Sequence, residues 1–325
     1  MAYRLEPGST AFDAQQCYVR SPKRKNQPTK PLNMESRMTP QPDSFVDSHV
    51  HFWDRSQGFF VGPSDKQRKA FDSAAPQRDY SPADYRTDTR SIDIPKSVWI
   101  TATLAPQNVT GEIEWISKLA ESEPMIAGIV GSVDPDLSPR ERKAELAAQS
   151  AFGLFRGVRV LTGFDYGSSA ADEYMRMLAD VDARYDLVAH HESMADAARL
   201  AERHPDVPFV LEHCGWPQQP LEPDYVAAWR EGISALASVG TVHCKLSGLA
   251  MTLRTFDLEA QRPFIEHCIE SFGEDRCMVG SNFPVDAAYG RFDELVGLYR
   301  AVTENLGIAA QRKLFTENAE RFYNI

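Results

Sequence analysis

Two histidines, His49 and His51 in the segment HVH, have the spacing of metal ligands on a strand. Side chains two residues apart on a strand point to the same side, so both imidazoles can reach one ion. Because Val46 and Val50 occupy the alternate positions, the alternation places Asp47, His49 and His51 on the inner face of the predicted strand. Imidazole nitrogen is a common zinc ligand, so the pattern predicts a site for a divalent ion, with zinc as the first candidate.

Three further side chains are predicted to face the same interior and to bind substrate. In the segment 241–247 the alternation with apolar residues directs Lys245 inward, where a lysine is unfavourable unless it is paired. Lys245 is therefore either a substrate clamp or half of an ion pair. Arg159 lies near the end of another predicted strand and suits a substrate carboxylate, with a structural salt bridge as the alternative. One strand later, the register favours His191 over His190 as the inward histidine.

A third histidine candidate, His213, ends a later predicted strand. It shares a face with Phe209 and Leu211, and this is the inner face if Val210 packs against the helices. Glu212 would then point outward, which is an unfavourable place for it. The alternative is that the alternation is broken near the end of this strand.

Eight short apolar runs are predicted as strands, at residues 44–50, 97–104, 125–133, 154–161, 186–191, 208–213, 241–247 and 276–282. Amphipathic stretches with apolar residues at intervals of three and four lie between them and predict helices. Short apolar strands that alternate with helices indicate a parallel sheet with helices outside. The order predicts an α/β fold, a (β/α)8 TIM barrel, over residues 44–325. The long connection from Phe52 to Lys96, after the first strand, is expected to cover the active-site face.

Residues 1–43 differ from the remainder in composition. They contain six prolines and seven lysines or arginines and have no sustained apolar period. Such a segment buries too little apolar surface to offset the entropy lost on ordering. We therefore expect a flexible, disordered N-terminal extension followed by one barrel domain.

The overall charge excludes some classes of partner. A net charge of −11 argues against a broad nucleic-acid surface, which needs a basic face. The chain has no apolar run long enough for a membrane span and no apolar signal core, so a cytoplasmic enzyme with a small-molecule substrate is expected. The five cysteines show no CxxC spacing and are expected to be buried, reduced thiols.

Six segments together resemble one enzyme family. They are VDSHVHFWD (46–54), FRGVR (155–159), VLEHCGWP (210–217), KLSGL (245–249), MVGSNFPVD (278–286) and NAERFY (318–323). In this order they are similar to the amidohydrolase-related TIM-barrel hydrolases, in particular the branch of sugar-lactone hydrolases and of dicarboxylate and muconolactone-type lactonases. The resemblance implies that His49, His51 and His213 are the metal or substrate histidines. It also implies that Asn282 occupies the position of the family's eighth-strand aspartate.

Asn282 departs from the family pattern at a position that carries chemistry. The usual aspartate binds the metal and removes a proton from the attacking water, whereas an amide cannot accept that proton. Asp286, four residues further on, is the candidate base, with bracing of the loop as the alternative. No lysine lies near the end of the fourth strand to bridge two metals, so at most one metal is expected, held by His49 and His51 with His213 or His191. Some members of this branch work without a metal, and the loss of an anionic ligand moves this chain in that direction.

These residues predict a lactonase that opens a small carboxylated or sugar-derived lactone by water attack. Asp286, Asn282 and His213 are its predicted catalytic residues, and a homodimer is an open expectation. The alternatives are a non-oxidative decarboxylase of the same superfamily and a barrel that has lost its chemistry but still binds ligand.

Overall fold

The computed structural model describes residues 44–62 and 78–325. The predicted flexible extension, residues 1–43, lies outside the described residues, as does the segment 63–77 of the long connection after the first strand. The strands are β1 (Asp47–Val50), β2 (Ser97–Ile100), β3 (Ile126–Gly131), β4 (Phe155–Arg159), β5 (Arg184–Leu187), β6 (Phe209–Leu211), β7 (Val242–Leu246) and β8 (Cys277–Val279).

All eight strands pair in sequence order, each parallel to the next. The segment after β8 returns to β1, because Val50 forms a parallel bridge with Phe283. Two backbone hydrogen bonds flank this bridge: the amide of Asn282 donates to the carbonyl of His49, and the amide of His51 donates to the carbonyl of Phe283, both at 2.8 Å. The predicted (β/α)8 barrel is confirmed.

The helices of the described residues surround the strands. They are α1 (Pro82–Asp88), α2 (Val109–Ala120), α3 (Pro139–Ser150), α4 (Ser169–Ala179), α5 (His191–Arg203), α6 (Pro223–Ala237), α7 (Ala250–Leu253), α8 (Leu258–Phe272), α9 (Phe292–Thr303), α10 (Ile308–Arg312) and α11 (Asn318–Tyr323). Local sequence explains where some begin: Ser81 and Ser138 start α1 and α3 with reciprocal capping boxes, each followed by a proline. None of the helices in residues 44–62 and 78–325 is both long and apolar enough to cross a bilayer.

The barrel interior has its own apolar core, separate from the larger core between strands and helices. Its members are Val46, Val98, Ile100, Val130, Val210 and Met278, packed against Phe322 and Tyr323 from α11. Arg184, the first residue of β5, donates to the carbonyl of Phe322 at 3.0 Å. The end of α11 therefore closes the barrel where the strands begin, and the opposite rim is left for the polar residues.

The predicted face of β1 is wrong at its start. Val46 belongs to the interior core, whereas Asp47 turns to the helix layer and accepts a hydrogen bond from Tyr85 at 2.7 Å. The physical reason is a bulge: Asp47 pairs with Ser97 but Val50 pairs with Trp99, so β1 has one residue more than β2 in this stretch. A bulge reverses the alternation locally.

The predicted inner face of β6 is wrong, because Val210 lies in the interior core, whereas Phe209 and Leu211 pack in the helix layer. Glu212 shares the face of Val210 and therefore points into the barrel. The alternation is broken at the following residue, where the chain enters a tight turn at His213–Gly215. His213 reaches the interior because of this turn, so the second alternative, a broken alternation near the strand end, holds for His213.

We expect the Tyr323 hydroxyl to contribute measurably to stability. It donates to both carboxylate oxygens of Asp186, at 2.8 and 3.0 Å, and both side chains are fully buried. Tyr323→Phe should lower the free energy of unfolding by about 2 kcal/mol, because a buried acid loses a donor. Urea denaturation followed by circular dichroism measures this loss.

Tyr289→Phe is the matched control, since its hydroxyl accepts a hydrogen bond from Arg254 in a more exposed contact. That variant should change the free energy of unfolding by less than about 0.5 kcal/mol. Equal losses in the two variants would show that the Tyr323 hydroxyl has no special role.

Candidate active site

The first two site histidines are positioned at the seam where β1 meets the end of β8. Asp47 joins the two segments, because its Oδ1 accepts from the amide of His49 at 3.1 Å and from the amide of Ser281 at 2.8 Å. Gly280 is required for this approach: a Cβ there would lie 2.8 Å from the Cβ of His49. The seam therefore brings the β1 histidines beside Asn282.

The tautomer of His51 follows from its hydrogen bond. Its Nδ1 lies 2.7 Å from the carbonyl oxygen of Ile100, so Nδ1 carries the hydrogen and Nε2 keeps a lone pair. His51 Nε2 lies 3.2 Å from His49 Nε2. Two nitrogens bound to one tetrahedral zinc lie roughly 3.3 Å apart. The separation of the two nitrogens is therefore compatible with one ion, and their joint role as metal ligands stays a prediction.

His213 joins them through a left-handed turn. His213 and Cys214 have φ values of 54° and 52°, which rotate the imidazole inward from the end of β6. Its Nδ1 lies 2.9 Å from the hydroxyl of Ser247, and its ring centroid lies 4.5 Å from that of His49. Gly248 leaves the necessary space, since a Cβ there would lie 2.4 Å from His213 Nδ1. The KLSGL segment thus orients His213. We call His49, His51 and His213 the histidine cluster.

Glu212 is the site residue that the sequence prediction missed. It is 2% exposed, and its carboxylate lies 3.4 Å from His49 Nδ1 and 3.7 Å from His213 Nε2. Arg159 donates to its Oε2 at 3.0 Å, whereas Oε1 has no hydrogen-bond partner among the described residues. One indication of its site position was present in the sequence: the predicted alternation would have directed this charged side chain outward, toward the helices, which is unfavourable.

Lys245 and Arg159 both form buried ion pairs, which is the structural alternative considered for each. Lys245 Nζ donates to Asp186 at 2.5 Å and lies 3.8 Å from Glu212. Arg159 bonds to Glu212 and also donates to the carbonyl of Thr101. Two acids thus compensate two cations beneath the histidine cluster. Binding of substrate by Lys245 or Arg159 stays a prediction.

His191 is not brought into the cluster. It begins α5, its ring lies 4.4 Å from that of Tyr225, and its Nδ1 lies 3.0 Å from Glu192. His190 lies closer to the site, because its ring is 5.8 Å from that of Trp216, which in turn contacts His213. If His191 binds substrate, it does so from its position beside Tyr225 and outside the histidine cluster.

The histidine cluster is uncharged at neutral pH. Burial lowers the pKa of all three imidazoles, Arg159 lowers it further, and Lys245 also lowers that of His49 and His213. For His51 the pKa falls to about 3. Neutral imidazoles keep the lone pairs that a metal or a water molecule needs.

A metal ion fits part of this set. His49, Glu212 and His213 each offer a ligand atom within 4.8 Å of the others. The unpartnered Glu212 Oε1 is a buried acceptor that calls for a donor or a cation, and two neutral imidazoles with one carboxylate are a common zinc set. The group could therefore hold a divalent ion, with Glu212 in addition to the predicted histidines. His51 adjoins this group through its contact with His49, in which the two Nε2 atoms lie 3.2 Å apart.

Asn282 and Asp286 form a hydrogen-bonded pair. Asn282, with φ at 56°, donates from Nδ2 to Asp286 Oδ1 at 2.8 Å, and its side chain also interacts with His51. Burial raises the pKa of Asp286 to about 8, although the bond from Asn282 opposes this. At neutral pH Asp286 is therefore protonated, and the geometry favours the bracing alternative. Its role as a base stays a prediction and would require pH above 8.

Asp286→Asn should change how stability depends on pH. In the unfolded chain this carboxyl loses its proton near pH 4, but in the folded protein it does so near pH 8. Because the folded state then holds more protons, the stability of the unsubstituted protein falls as pH rises through this window, by about 1.4 kcal/mol per pH unit at most. Asp286→Asn keeps an acceptor for Asn282 and should remove that slope, as measured by urea denaturation at pH 5, 6, 7 and 8.

Asp206→Asn, on an exposed loop, is the control and should leave the pH dependence as it is. If Asp286→Asn also left it unchanged, the carboxyl would have to be ionised in the folded protein at neutral pH, and bracing by a neutral acid would be wrong.

Comparison with known proteins identifies the family. The amidohydrolase family model matches residues 46–325. An L-fucono-1,5-lactonase of Burkholderia ambifaria is 26% identical over 291 residues, which cover 86% of this chain and 95% of that enzyme. Among solved structures, a zinc-bound amidohydrolase of Burkholderia multivorans has a TM-score of 0.72 at 24% identity and covers 87% of this chain and 99% of its own. The 5-carboxyvanillate decarboxylase of Sphingomonas paucimobilis has a TM-score of 0.60 at 12% identity, with 87% and 100% covered. With its eight-stranded barrel and the rim cluster of histidines, the chain belongs to the amidohydrolase family.

Proposed function

We propose that this amidohydrolase-family hydrolase is a lactonase that opens a small sugar-derived lactone by water attack. The observation that carries the proposal is the convergence of three neutral imidazoles and Glu212 at the barrel rim, beside a strand-eight position that holds an amide. A cyclic ester is easier to open than an amide, so a site without the usual aspartate is better suited to it. Similarity to an L-fucono-1,5-lactonase over most of both chains supports the same substrate class.

Glu212 is the residue to which we assign proton transfer. Its Oε1 lacks a hydrogen-bond partner, and it lies against both His49 and His213. Arg159 and Lys245 both lie within ion-pair distance of it, so it presents a carboxyl group where Asn282 has only an amide. His51 Nε2, with its lone pair fixed by the bond to Ile100, lies 3.2 Å from His49 Nε2 and accepts from it, which holds the His49 ring beside Glu212.

A zinc ion would be held by His49, Glu212 and His213. When bound, it supplies a Lewis acid for the lactone carbonyl and lowers the pKa of water. The zinc-bound relative of the same fold supports this choice of metal. His213 keeps its orientation through Ser247 whether or not the ion is present.

The charge balance favours neutral over carboxylated lactones. Lys245 and Arg159 are the cations that approach the histidine cluster among the residues described, and both are paired with acids. A substrate carboxylate would have to displace Asp186 or Glu212 from them, which is unfavourable for buried pairs. Hydroxyl groups of a sugar lactone need no such exchange.

Decarboxylation is the second candidate, favoured by one observation. Asp286 is a buried acid that holds its proton at neutral pH, and replacement of a carboxyl by hydrogen needs a proton donor. Decarboxylases are among the proteins that share this fold.

A substrate panel distinguishes these reactions. The full-length protein is assayed with neutral 1,5-lactones of sugar acids, with lactones that carry carboxylates, and with hydroxylated aromatic acids. Acid release in a pH-indicator assay reports lactone opening, and carbon dioxide release reports decarboxylation. We expect turnover of the neutral lactones, with kcat/KM at least tenfold above the carboxylated ones. Carbon dioxide without acid release would replace the lactonase proposal by the decarboxylase.

Glu212→Gln tests the assignment of the proton acceptor. An amide keeps the shape of the side chain but cannot accept a proton, so kcat/KM should fall by about 100-fold or more. Glu112→Gln is the matched control: Glu112 is also a buried glutamate, bonded to Thr101, but lies on α2. Its kcat/KM should stay within about threefold of the unsubstituted protein, with folding checked by circular dichroism. Full activity in Glu212→Gln would remove this residue from proton transfer.

A further inference from the structure

Four cysteines lie together between the barrel and the helices. Cys214 follows β6, Cys244 lies in β7 and Cys268 lies in α8. The Sγ atoms of these three are within 4.8 Å of one another, and all three side chains are fully buried. Cys277 of β8 is adjacent, and its Sγ donates to the carbonyl of Cys268 at 3.7 Å. We call Cys214, Cys244 and Cys268 the thiol triad.

The thiol triad has an apolar setting. Burial raises the pKa of the Cys244 and Cys268 thiols. The Cys214 thiol lies against the other two thiols and donates to the carbonyl of Lys245 at 3.7 Å, and no basic side chain contacts it among the described residues. A bound species that leaves a net charge here is therefore penalised by burial.

We propose that the thiol triad is a binding site for a trivalent thiophilic metalloid, with arsenic(III) as the prototype. Neutral arsenous acid, As(OH)3, condenses with the three cysteine thiols: three As–S bonds form, three As–O bonds break, and three water molecules leave with the thiol protons. Nothing is oxidised or reduced, and the product has no net charge. This balance of charge matches the surroundings of the triad.

The same argument disfavours the divalent ions that thiolates commonly bind. Zinc on three thiolates keeps one negative charge, and no basic side chain contacts the Cys214 thiol among the described residues to compensate it. We therefore expect the net charge of the bound complex, more than the affinity of the ion for sulfur, to decide which ion the thiol triad binds. Zinc belongs instead with the histidine cluster, where a carboxylate is present.

The triad must contract to bind one atom. Three sulfurs at about 2.3 Å from a tetrahedral centre lie roughly 3.8 Å apart, and the trigonal pyramid of arsenic(III) brings them closer, so separations of up to 4.8 Å must contract by at least about 1 Å. Two of the thiols are on rigid elements, β7 and α8. The third is on a fixed turn, because Trp229 Nε1 donates to the carbonyl of Cys214 at 2.8 Å.

Native mass spectrometry of the full-length, reduced protein with sodium arsenite tests the site. We expect one arsenic per chain, with a mass gain of one arsenic less three hydrogens, which identifies a three-thiol product. Cys214→Ser, Cys244→Ser and Cys268→Ser should each weaken binding at least tenfold. Cys277→Ser, the buried neighbour, and Cys17→Ser, outside the described residues, should bind arsenic as the unsubstituted protein does.

A measurement without substitutions guards against variants that fail to fold. A tenfold excess of zinc over arsenite should not displace arsenic from the unsubstituted protein. Displacement by zinc would overturn the charge argument. The proposal also fails if no arsenic binds, if the mass gain retains a hydroxyl group, or if Cys277→Ser weakens binding as much as the triad variants.

Discussion

Two acids and two bases are buried together inside the barrel, and their mutual compensation is the constraint on which the site depends. Lys245 and Asp186 form one pair, and Arg159 and Glu212 form the other, with Lys245 close enough to Glu212 to link them. Removal of any one member would leave an uncompensated charge, which in buried pairs costs about 3–5 kcal/mol. The network also connects the two ends of the barrel, because Asp186 is held from below by Tyr323 and Glu212 reaches the histidines above.

The second constraint is the seam between β1 and β8, where the chain both closes the barrel and holds the site histidines His49 and His51. Asp47 satisfies both demands because it leaves the interior. From the helix layer it accepts hydrogen bonds from the backbone of His49 and Ser281 and from Tyr85 of α1. The bulge that turns Asp47 outward also keeps His49 and His51 inward. The same contacts of Asp47 therefore close the barrel and place the two imidazoles.

Much of this architecture could be predicted from periodicity. The eight strands, the inward Lys245 and the convergence of His49 and His213 follow from alternation and from the family motifs. What periodicity could not supply were the two places where alternation fails: the bulge in β1, and the left-handed turn that brings His213 to the interior. Both depend on tertiary contacts. Gly248, for example, is visible in the sequence, but its purpose is clear only once His213 packs against it.

The asparagine at position 282 can be understood from the environments of two carboxyl groups. Asp286 is the acid that contacts Asn282 directly and accepts a hydrogen bond from its amide. Its burial raises its pKa to about 8, so it stays neutral near pH 7. Glu212 is equally buried but has Arg159 and Lys245 beside it. A buried carboxylate is held in its charged form where neighbouring cations compensate it. In this barrel that compensation is found at the end of β6, which is why we propose Glu212, and not a residue after β8, for proton transfer.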